Sequence, residues 1–346
     1  MQCGRYLYKS PDFSGQHHHH KRDAMKILKE NHFVCVSKLG FGSFGEVYKM
    51  IDLFSREVAV KIVPQEVARK SEIEIWPKLS HPNIIPLLLN FHSPNVAIFV
   101  MPIQRNTLLH SVLDRHFFNQ SGALGCFKSW LHGTLCGLNY LHSNETGHLD
   151  LKADNVLISY DNRAVISDFT FLASTSKAIP RSELGLPYIY RPPEAFESEA
   201  VVEGKAFDLW AYGMMVLELL TNQAFGRTSS YVGSWQKDIY PNLFSLLQEN
   251  NFKRCVRSVW GISDKQIKFA LNFIHIFLMP DRRQRWNAAK AADHCFLEDG
   301  SQIGAEPRQK WGIFCSHDCE ESHESYVNRN RGIKRLADES LKLEQN

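Results

Sequence analysis

A carboxylate, an ammonium and a carboxamide fall within eight residues of this chain, in His148-Leu149-Asp150-Leu151-Lys152-Ala153-Asp154-Asn155. Together they suit phosphoryl transfer: Asp150 to orient a hydroxyl and accept its proton, Lys152 to neutralise charge on the moving phosphoryl group, Asn155 to hold Mg²⁺. Thirteen positions on, Asp168-Phe169 offers a second metal ligand. Upstream, Gly40-Phe41-Gly42-Ser43-Phe44-Gly45-Glu46-Val47 has the form G-x-G-x-x-G-x-V. Its glycines let backbone N–H groups approach phosphate oxygens without obstruction by Cβ. Such a loop also marks dinucleotide folds, where a helix opens after the third glycine and an acidic residue lies on the next strand. Here the glycines sit between two strand-like segments, and a Val-Ala-Val-Lys strand ends in Lys61, sixteen positions after Gly45.

These residues need elements to hold them. Phe33 to Val36, Glu46 to Met50 and Glu57 to Val63 carry β-branched and aromatic residues between turn signals and read as strands. Gln65 to Trp76 has helical spacing between Pro64 and Pro77, and predicts a helix. Ile98 to Met101 reads as a buried strand. From about residue 105 to 296 the pattern turns helical, with Cys126 to Leu141 and Asp208 to Leu220 as the clearest helices. Residues 1–32 read as a polar extension and 298–346 as a polar tail, with a helix predicted near Ile333 to Leu343. There is no internal repeat.

Of the 346 residues, 44% are hydrophobic, enough for two lobes with a real core. Forty basic residues nearly balance 37 acidic ones, so net charge gives no reason to expect nucleic acid or membrane as partner. The first fifteen residues lack the apolar core of a signal peptide, and the most apolar run, Phe269 to Met279, is too short to span a bilayer. Eight scattered cysteines fit reduced thiols, hence a cytoplasmic or nuclear location. The tract His17 to His20 reads as a solvated surface. Cys315, His317, Cys319 and His323 have donor types that suit zinc, but at a spacing that fits no compact finger.

The octet resembles the catalytic loop H-R-D-L-K-x-x-N of eukaryotic-type protein kinases, and the glycine loop resembles theirs. Tyr190-Arg191-Pro192-Pro193-Glu194 is similar to the end of their activation segment, and Asp208-Leu209-Trp210-Ala211-Tyr212-Gly213 to the helix behind the catalytic loop. Asp281 to Arg285 then supplies Arg285 as the partner of Glu194. The resemblance covers residues 33 to 297, with every major motif in order. It implies an α+β bilobal fold: a β-rich N-lobe with hinge over 33–104 and a mainly helical C-lobe over 105–297. It implies ATP and Mg²⁺, held by Asn155 and Asp168, and a protein substrate; oligomeric state is left open. Counting back nine residues from His81-Pro82-Asn83-Ile84, it assigns Glu72 as the carboxylate partner of Lys61. That gap of eleven residues is short for the family, so the intervening segment is trimmed. Glu74 would face another side, about 200° round a helix.

The resemblance further places Leu39, Gly40, Gly42, Ser43, Gly45, Val47, Ala59, Met101, Ile103 and Leu157 around the nucleotide. Met101 is the gatekeeper, Pro102-Ile103-Gln104 a hinge one residue short, Leu157 the floor, and Ala59 with Val47 the roof. Trp76 stands where the family packs an aliphatic side chain on Phe169. Asp208 is implied to accept hydrogen bonds from the catalytic-loop backbone. Glu194 and Arg285 are read as a structural pair.

Three departures carry separate expectations. Leu149 replaces the arginine that clamps a phosphorylated activation segment, so activity should not require phosphate at Ser174, Thr175, Ser176 or Ser182. Thr170 replaces the glycine after Asp168-Phe169. A β-branched residue resists the φ values open to glycine, so the segment should flip less easily and inhibitors that need the flipped state should bind poorly. Gly185-Leu186-Pro187-Tyr188 lacks the threonine that contacts the catalytic aspartate in serine/threonine kinases, although Lys152 favours serine/threonine over tyrosine. The rival reading is a pseudokinase, an ATP-binding or scaffold module. Loss of Lys61, Asp150, Asn155 or Asp168 would favour it, and all four are present.

Overall fold

The computed structural model describes residues 17–41, 45–187, 190–196, 201–221 and 240–298. Helix α1 (His17–Glu30) precedes a five-stranded sheet of β1 (Val34–Phe41), β2 (Glu46–Ile51), β3 (Glu57–Pro64), β4 (Leu89–His92) and β5 (Val96–Pro102), in the order β1-β2-β3-β5-β4. All pairings are antiparallel. Strands β3 and β5 are buried along almost their whole length. Because strand side chains alternate between faces, this means that both faces are covered. Val58, Val60, Ile62, Val96, Ile98 and Val100 face one way, under Ala24 and Leu28 of α1. Ala59, Val63, Ala97, Phe99 and Met101 face the other way and join the main core.

Helix α1 is therefore part of the N-lobe, although its sequence reads as polar extension. Among its described side chains only Ala24 and Leu28 are fully buried, so its apolar stripe is too narrow to stand out. Polar contacts finish the seam: Asn95 Nδ2 donates to Asp23 at 2.6 Å, and Lys21 lies 4.0 Å from Glu46, which also meets Lys38 and the Tyr48 hydroxyl.

The helix predicted over 65–76 does not form. The chain turns at Gln65 to Val67, makes a single π turn at Ser71–Ile75, and tightens to a 3₁₀ turn at Trp76–Lys78. So short a stretch between prolines gains little from its own hydrogen bonds, and contacts from below decide its shape. The Trp76 indole donates to the Ile85 carbonyl at 2.8 Å.

The C-lobe begins with β6 (Asn106–Thr107), α2 (Leu108–Leu113), α3 (Arg115–Phe118) and α4 (Ala123–Ser143). It continues through the short strands β7 (Thr146–Gly147), β8 (Val156–Ile158), β9 (Ala164–Ile166), β10 (Ala173–Ser174), β11 (Ile179–Pro180) and β12 (Val201–Val202). Helices α5 (Gly204–Thr221), α6 (Tyr240–Leu246), α7 (Glu249–Cys255), α8 (Asp264–His275) and α9 (Ala288–Ala292) complete it. Helix α5 is buried from Phe207 to Thr221, so α4, α8 and the catalytic loop all pack on it or near it. The two helices expected from the sequence correspond to α4 and α5, each a few residues longer. The helix predicted near Ile333, the candidate zinc residues and the rest of the tail lie outside the described residues. Among those described, no helix is long and apolar enough to cross a membrane.

The base of the C-lobe carries a pH-sensitive contact. His294 is buried, its Nε2 lies 2.9 Å from Asn272 Oδ1, and its Nδ1 accepts from the Phe296 N–H at 3.1 Å. One nitrogen must stay unprotonated to accept, and burial lowers the pKa from 6.5 to about 4. The unfolded chain thus binds a proton that the folded chain refuses between those values, so stability is lost as pH falls through this window. The expected loss from pH 7 to 4.5 is about 2–3 kcal/mol. Urea titrations of wild type and His294→Gln at both pH values check it; equal pH losses in the two proteins would refute it.

Candidate active site

The glycine-loop flanks hold the upper part of the site. A Cβ at Gly45 would run into the Ile62 carbonyl oxygen, so only glycine lets β2 leave the loop at this register, where Glu46 pairs with Ile62 and Val47 with Lys61. Gly42 and Ser43 lie outside the described residues. Leu39 is exposed, Gly40 and Val47 are half-buried, and Ala59 and Met101 are buried and opposite each other across β3 and β5. Ile103 and Leu157 are half-buried.

Lys61 points to the inner face of β3 and bonds three partners. Its Nζ donates to Glu72 Oε1 at 2.6 Å, to Asp168 Oδ1 at 2.9 Å and to Thr170 Oγ1 at 3.0 Å. The glutamate chosen by counting is thus the one that reaches the lysine: Glu72 is buried, while Glu74 is exposed. Burial disfavours the Lys61 ammonium, but attraction to Asp168 and Glu72 outweighs it and the pKa stays above its ordinary value. Burial likewise raises the Asp168 pKa, and Lys61 reverses this, holding the carboxyl well below the usual range. Lys61 is therefore charged and Asp168 ionised at neutral pH.

The octet from His148 to Asn155 lies across the cleft. Lys152 Nζ donates to both Asp150 oxygens, at 3.1 and 2.9 Å. Asn155 Nδ2 donates to the Asp150 backbone oxygen at 2.8 Å and to its Oδ2 at 2.9 Å. Burial pushes the Asp150 pKa up, only partly countered by Lys152. Behind the loop, Asp208 accepts from the His148 N–H at 2.7 Å, the Leu149 N–H at 2.8 Å and His142 Nε2 at 3.0 Å. His148 Nε2 bonds the Ser167 carbonyl at 2.9 Å, leaving Nδ1 to accept from the Asp150 N–H at 3.3 Å. The ring tautomer is thus set by its neighbours.

A column of rings joins the lobes. Trp76 meets Phe169 edge-on with centroids 5.4 Å apart, and Phe169 meets His148 at 5.8 Å. Trp76 takes the position expected of an aliphatic residue and adds an indole donor. At the foot of the activation segment, Arg285 and Glu194 form a buried bidentate pair, with NH2 to Oε2 at 2.8 Å. Arg285 also bonds the carbonyls of Met279 and Ala206.

No sequence motif marks the roles of Ser71, Thr170 and α1. The signal for α1 was available: β3 and β5 are apolar on both faces, so something had to cover the outer one.

A two-lobed fold whose cleft brings together a β3 lysine, a partner glutamate and the octet from His148 to Asn155 is that of a protein kinase. The protein kinase domain model matches residues 33–297, and the chain belongs to that family. Three relatives illustrate the match, each at low identity. The chain is 25% identical over 270 residues to calcium-dependent protein kinase 6 of Plasmodium berghei, covering 75% of this chain and 17% of that protein. It is 30% identical over 205 residues to a probable serine/threonine-protein kinase of Dictyostelium discoideum, covering 56% and 40%. It is 26% identical over 295 residues to the serine/threonine-protein kinase GRIK2 of Arabidopsis thaliana, covering 78% and 67%. The chain spans less than two thirds of the length of the first two relatives.

Proposed function

We propose that this protein transfers the γ-phosphoryl group of ATP to serine or threonine hydroxyls of protein substrates. The observation that carries this reading is the bonded group Lys61–Glu72–Asp168 on the same cleft as Asp150, Lys152 and Asn155. A pseudokinase reading lacks an observation of its own, since every charged residue of the site is present and paired. The relatives named as serine/threonine kinases support the choice of acceptor.

The residues fit Mg²⁺. Asn155 spends its amide nitrogen on Asp150, which leaves its oxygen as the free ligand atom, and Asp168 is ionised with its side chain 37% exposed. Two hard oxygens suit that ion, which when bound supplies charge neutralisation at the phosphates. Lys61, steadied by Glu72, would hold the α- and β-phosphates under the glycine loop, and the adenine ring would lie between Leu39, Val47 and Ala59 above and Leu157 below, with Met101 and Ile103 at its edge. Asp150 orients the attacking hydroxyl and accepts its proton. Lys152 balances charge on the moving phosphoryl group. The transition state is loose, so positioning and charge supply most of the rate.

The test is incubation with ATP·Mg²⁺ and a generic protein substrate, followed by phosphoamino-acid analysis. Phosphoserine or phosphothreonine is expected. Transfer no greater than that of Asp150→Ala would overturn the reading.

The proposal includes independence from activation-segment phosphorylation. Leu149 is buried, and its Cδ2 shares the space beside Gly204 with the Thr175 methyl and Ile179 Cδ1. Pairing of β10 with β7, pairing of β11 with β12, and a 2.7 Å bond from the Thr175 N–H to the Glu145 carbonyl hold the segment through its main chain, and the Ser176 hydroxyl adds a bond to the Glu145 carboxylate. Apolar packing thus stands where an arginine would need a phosphate. Ser174→Ala, Thr175→Val, Ser176→Ala and Ser182→Ala are each expected to keep kcat within about threefold of wild type. A large loss on phosphatase treatment, restored by rephosphorylation at one of these positions, would count against it.

A further inference from the structure

Glu72 is held with very little help from its own segment. The π turn Ser71–Ile75 is five residues long, too short to sustain itself. The Glu72 side chain is fully buried, and among the described residues its Oε2 has no hydrogen-bond partner. Both bonds to the carboxylate fall on Oε1, one from Lys61 and one from the Thr170 hydroxyl at 3.1 Å.

Thr170 does not stand in a glycine conformation, and its side chain has a place of its own in the site. Its φ is not positive, and the left-handed residue of this segment is Asp168, at φ 60°. Its side chain is fully buried, and Oγ1 lies 2.8 Å from Asp168 Oδ1 as well as 3.0 Å from Lys61 Nζ. A hydroxyl has one proton to give and two lone pairs. It accepts from Lys61 and donates to one carboxylate at a time. One residue away from Glu72, Ser71 Oγ donates to the Thr170 carbonyl at 3.0 Å. The start of the activation segment therefore grips the Glu72 turn at two points.

We infer that Thr170 is a positioning residue for the Lys61–Glu72 pair. Its hydroxyl, together with the Ser71 bond to its carbonyl, holds Glu72 in place of the longer helix that this chain lacks. The inference rests on the proposed phosphoryl-transfer site. With the Lys61 ammonium turned toward phosphate oxygens, the Thr170 hydroxyl would donate its hydrogen bond to Glu72 rather than to Asp168 and so keep that carboxylate beside the lysine. The lysine and glutamate are thereby assembled within the chain itself, without a partner pressing on the turn from outside.

The test compares wild type with Thr170→Val, which keeps the shape and removes the hydroxyl, Thr170→Ser, which keeps the hydroxyl, and Ser71→Ala. Two readouts are taken: amide hydrogen exchange over residues 70–76, and steady-state kinetics in ATP. Thr170→Val is expected to speed exchange there about tenfold and to lower kcat/KM for ATP about tenfold, mostly through KM. Thr170→Ser recovers most of both losses. Ser71→Ala, which removes the second point of the grip and keeps the Thr170 hydroxyl, is expected to speed exchange over the same residues and to lower kcat/KM for ATP less than Thr170→Val does, and it reads the same grip should Thr170→Val fail to fold. Wild-type values for Thr170→Val overturn the inference, and so does a Thr170→Ser variant as impaired as Thr170→Val. A wild-type protein without phosphoryl transfer, but with the exchange difference between valine and serine, removes the proposed function and leaves the positioning role standing.

Discussion

Asp150→Ala is expected to lower phosphoryl transfer about 10³-fold, in the middle of the range for a lost general base, without destabilising the protein. The two parts of this result have different origins. The rate falls because no other carboxylate takes the place of Asp150: Asp168 is bonded to Lys61 and Thr170. Stability is spared because Asp150 is a buried charge held at a cost, as its raised pKa records. Asn155 keeps its 2.8 Å bond to the backbone oxygen at position 150 whatever the side chain, and Lys152, whose side chain is 30% exposed, can turn to solvent. KM for ATP should therefore stay within a few-fold while kcat collapses. Kinetics and a urea titration on the same preparation check this. A kcat within tenfold of wild type would remove Asp150 from the reaction. A large stability loss would mean that the aspartate holds the loop together.

Part of the site is legible in the sequence and part is not, for physical reasons. Charged and polar groups that meet across the fold are tied to motifs with fixed internal spacing, so Lys61, Glu72, Asp150, Asn155, Asp208, Glu194 and Arg285 could each be named, and the structure brings the expected pairs together. The spacing also showed that the segment before Glu72 was short. It did not show the consequence, because helical periodicity between Pro64 and Pro77 looks the same whether the segment coils as an α-helix or is pulled into a π turn by Ser71 and Trp76. Thr170 was legible as a departure, and its backbone effect could be argued from the β-branch. Its hydroxyl contacts could not, since they depend on where Glu72 and Lys61 come to rest. Helix α1 was hidden for another reason: a helix that fully buries two side chains, Ala24 and Leu28, on a sheet keeps a mostly polar sequence. The evidence for it lay in the strands beneath.

Asp208→Ala should cost about 3–5 kcal/mol of stability and most of the activity. Asp208 is fully buried and accepts three hydrogen bonds from groups that are themselves buried. Removing it strands two main-chain N–H groups and the His142 imidazole, each worth about 1–3 kcal/mol when left unpaired, while relief of one buried charge returns part of the loss. The bond at Leu149 carries a further load. Leu149 has φ 62°, a left-handed conformation that disfavours a residue with a side chain by about 1–2 kcal/mol. Its N–H bond to Asp208 Oδ1 is what makes that conformation tenable, and the turn it creates sets Asp150 facing the cleft. Asp208→Asn separates the two effects. Its amide nitrogen is best accommodated opposite Leu149 N–H, where one bond is lost, since the other orientation loses two. The asparagine variant should therefore lose only about 1–2 kcal/mol, yet suffer a fall in kcat of tenfold or more, because the bond it gives up is the one that holds the catalytic loop in its strained turn. An asparagine variant with full activity would show that Leu149 keeps its conformation by apolar packing against Thr175 and Ile179 alone.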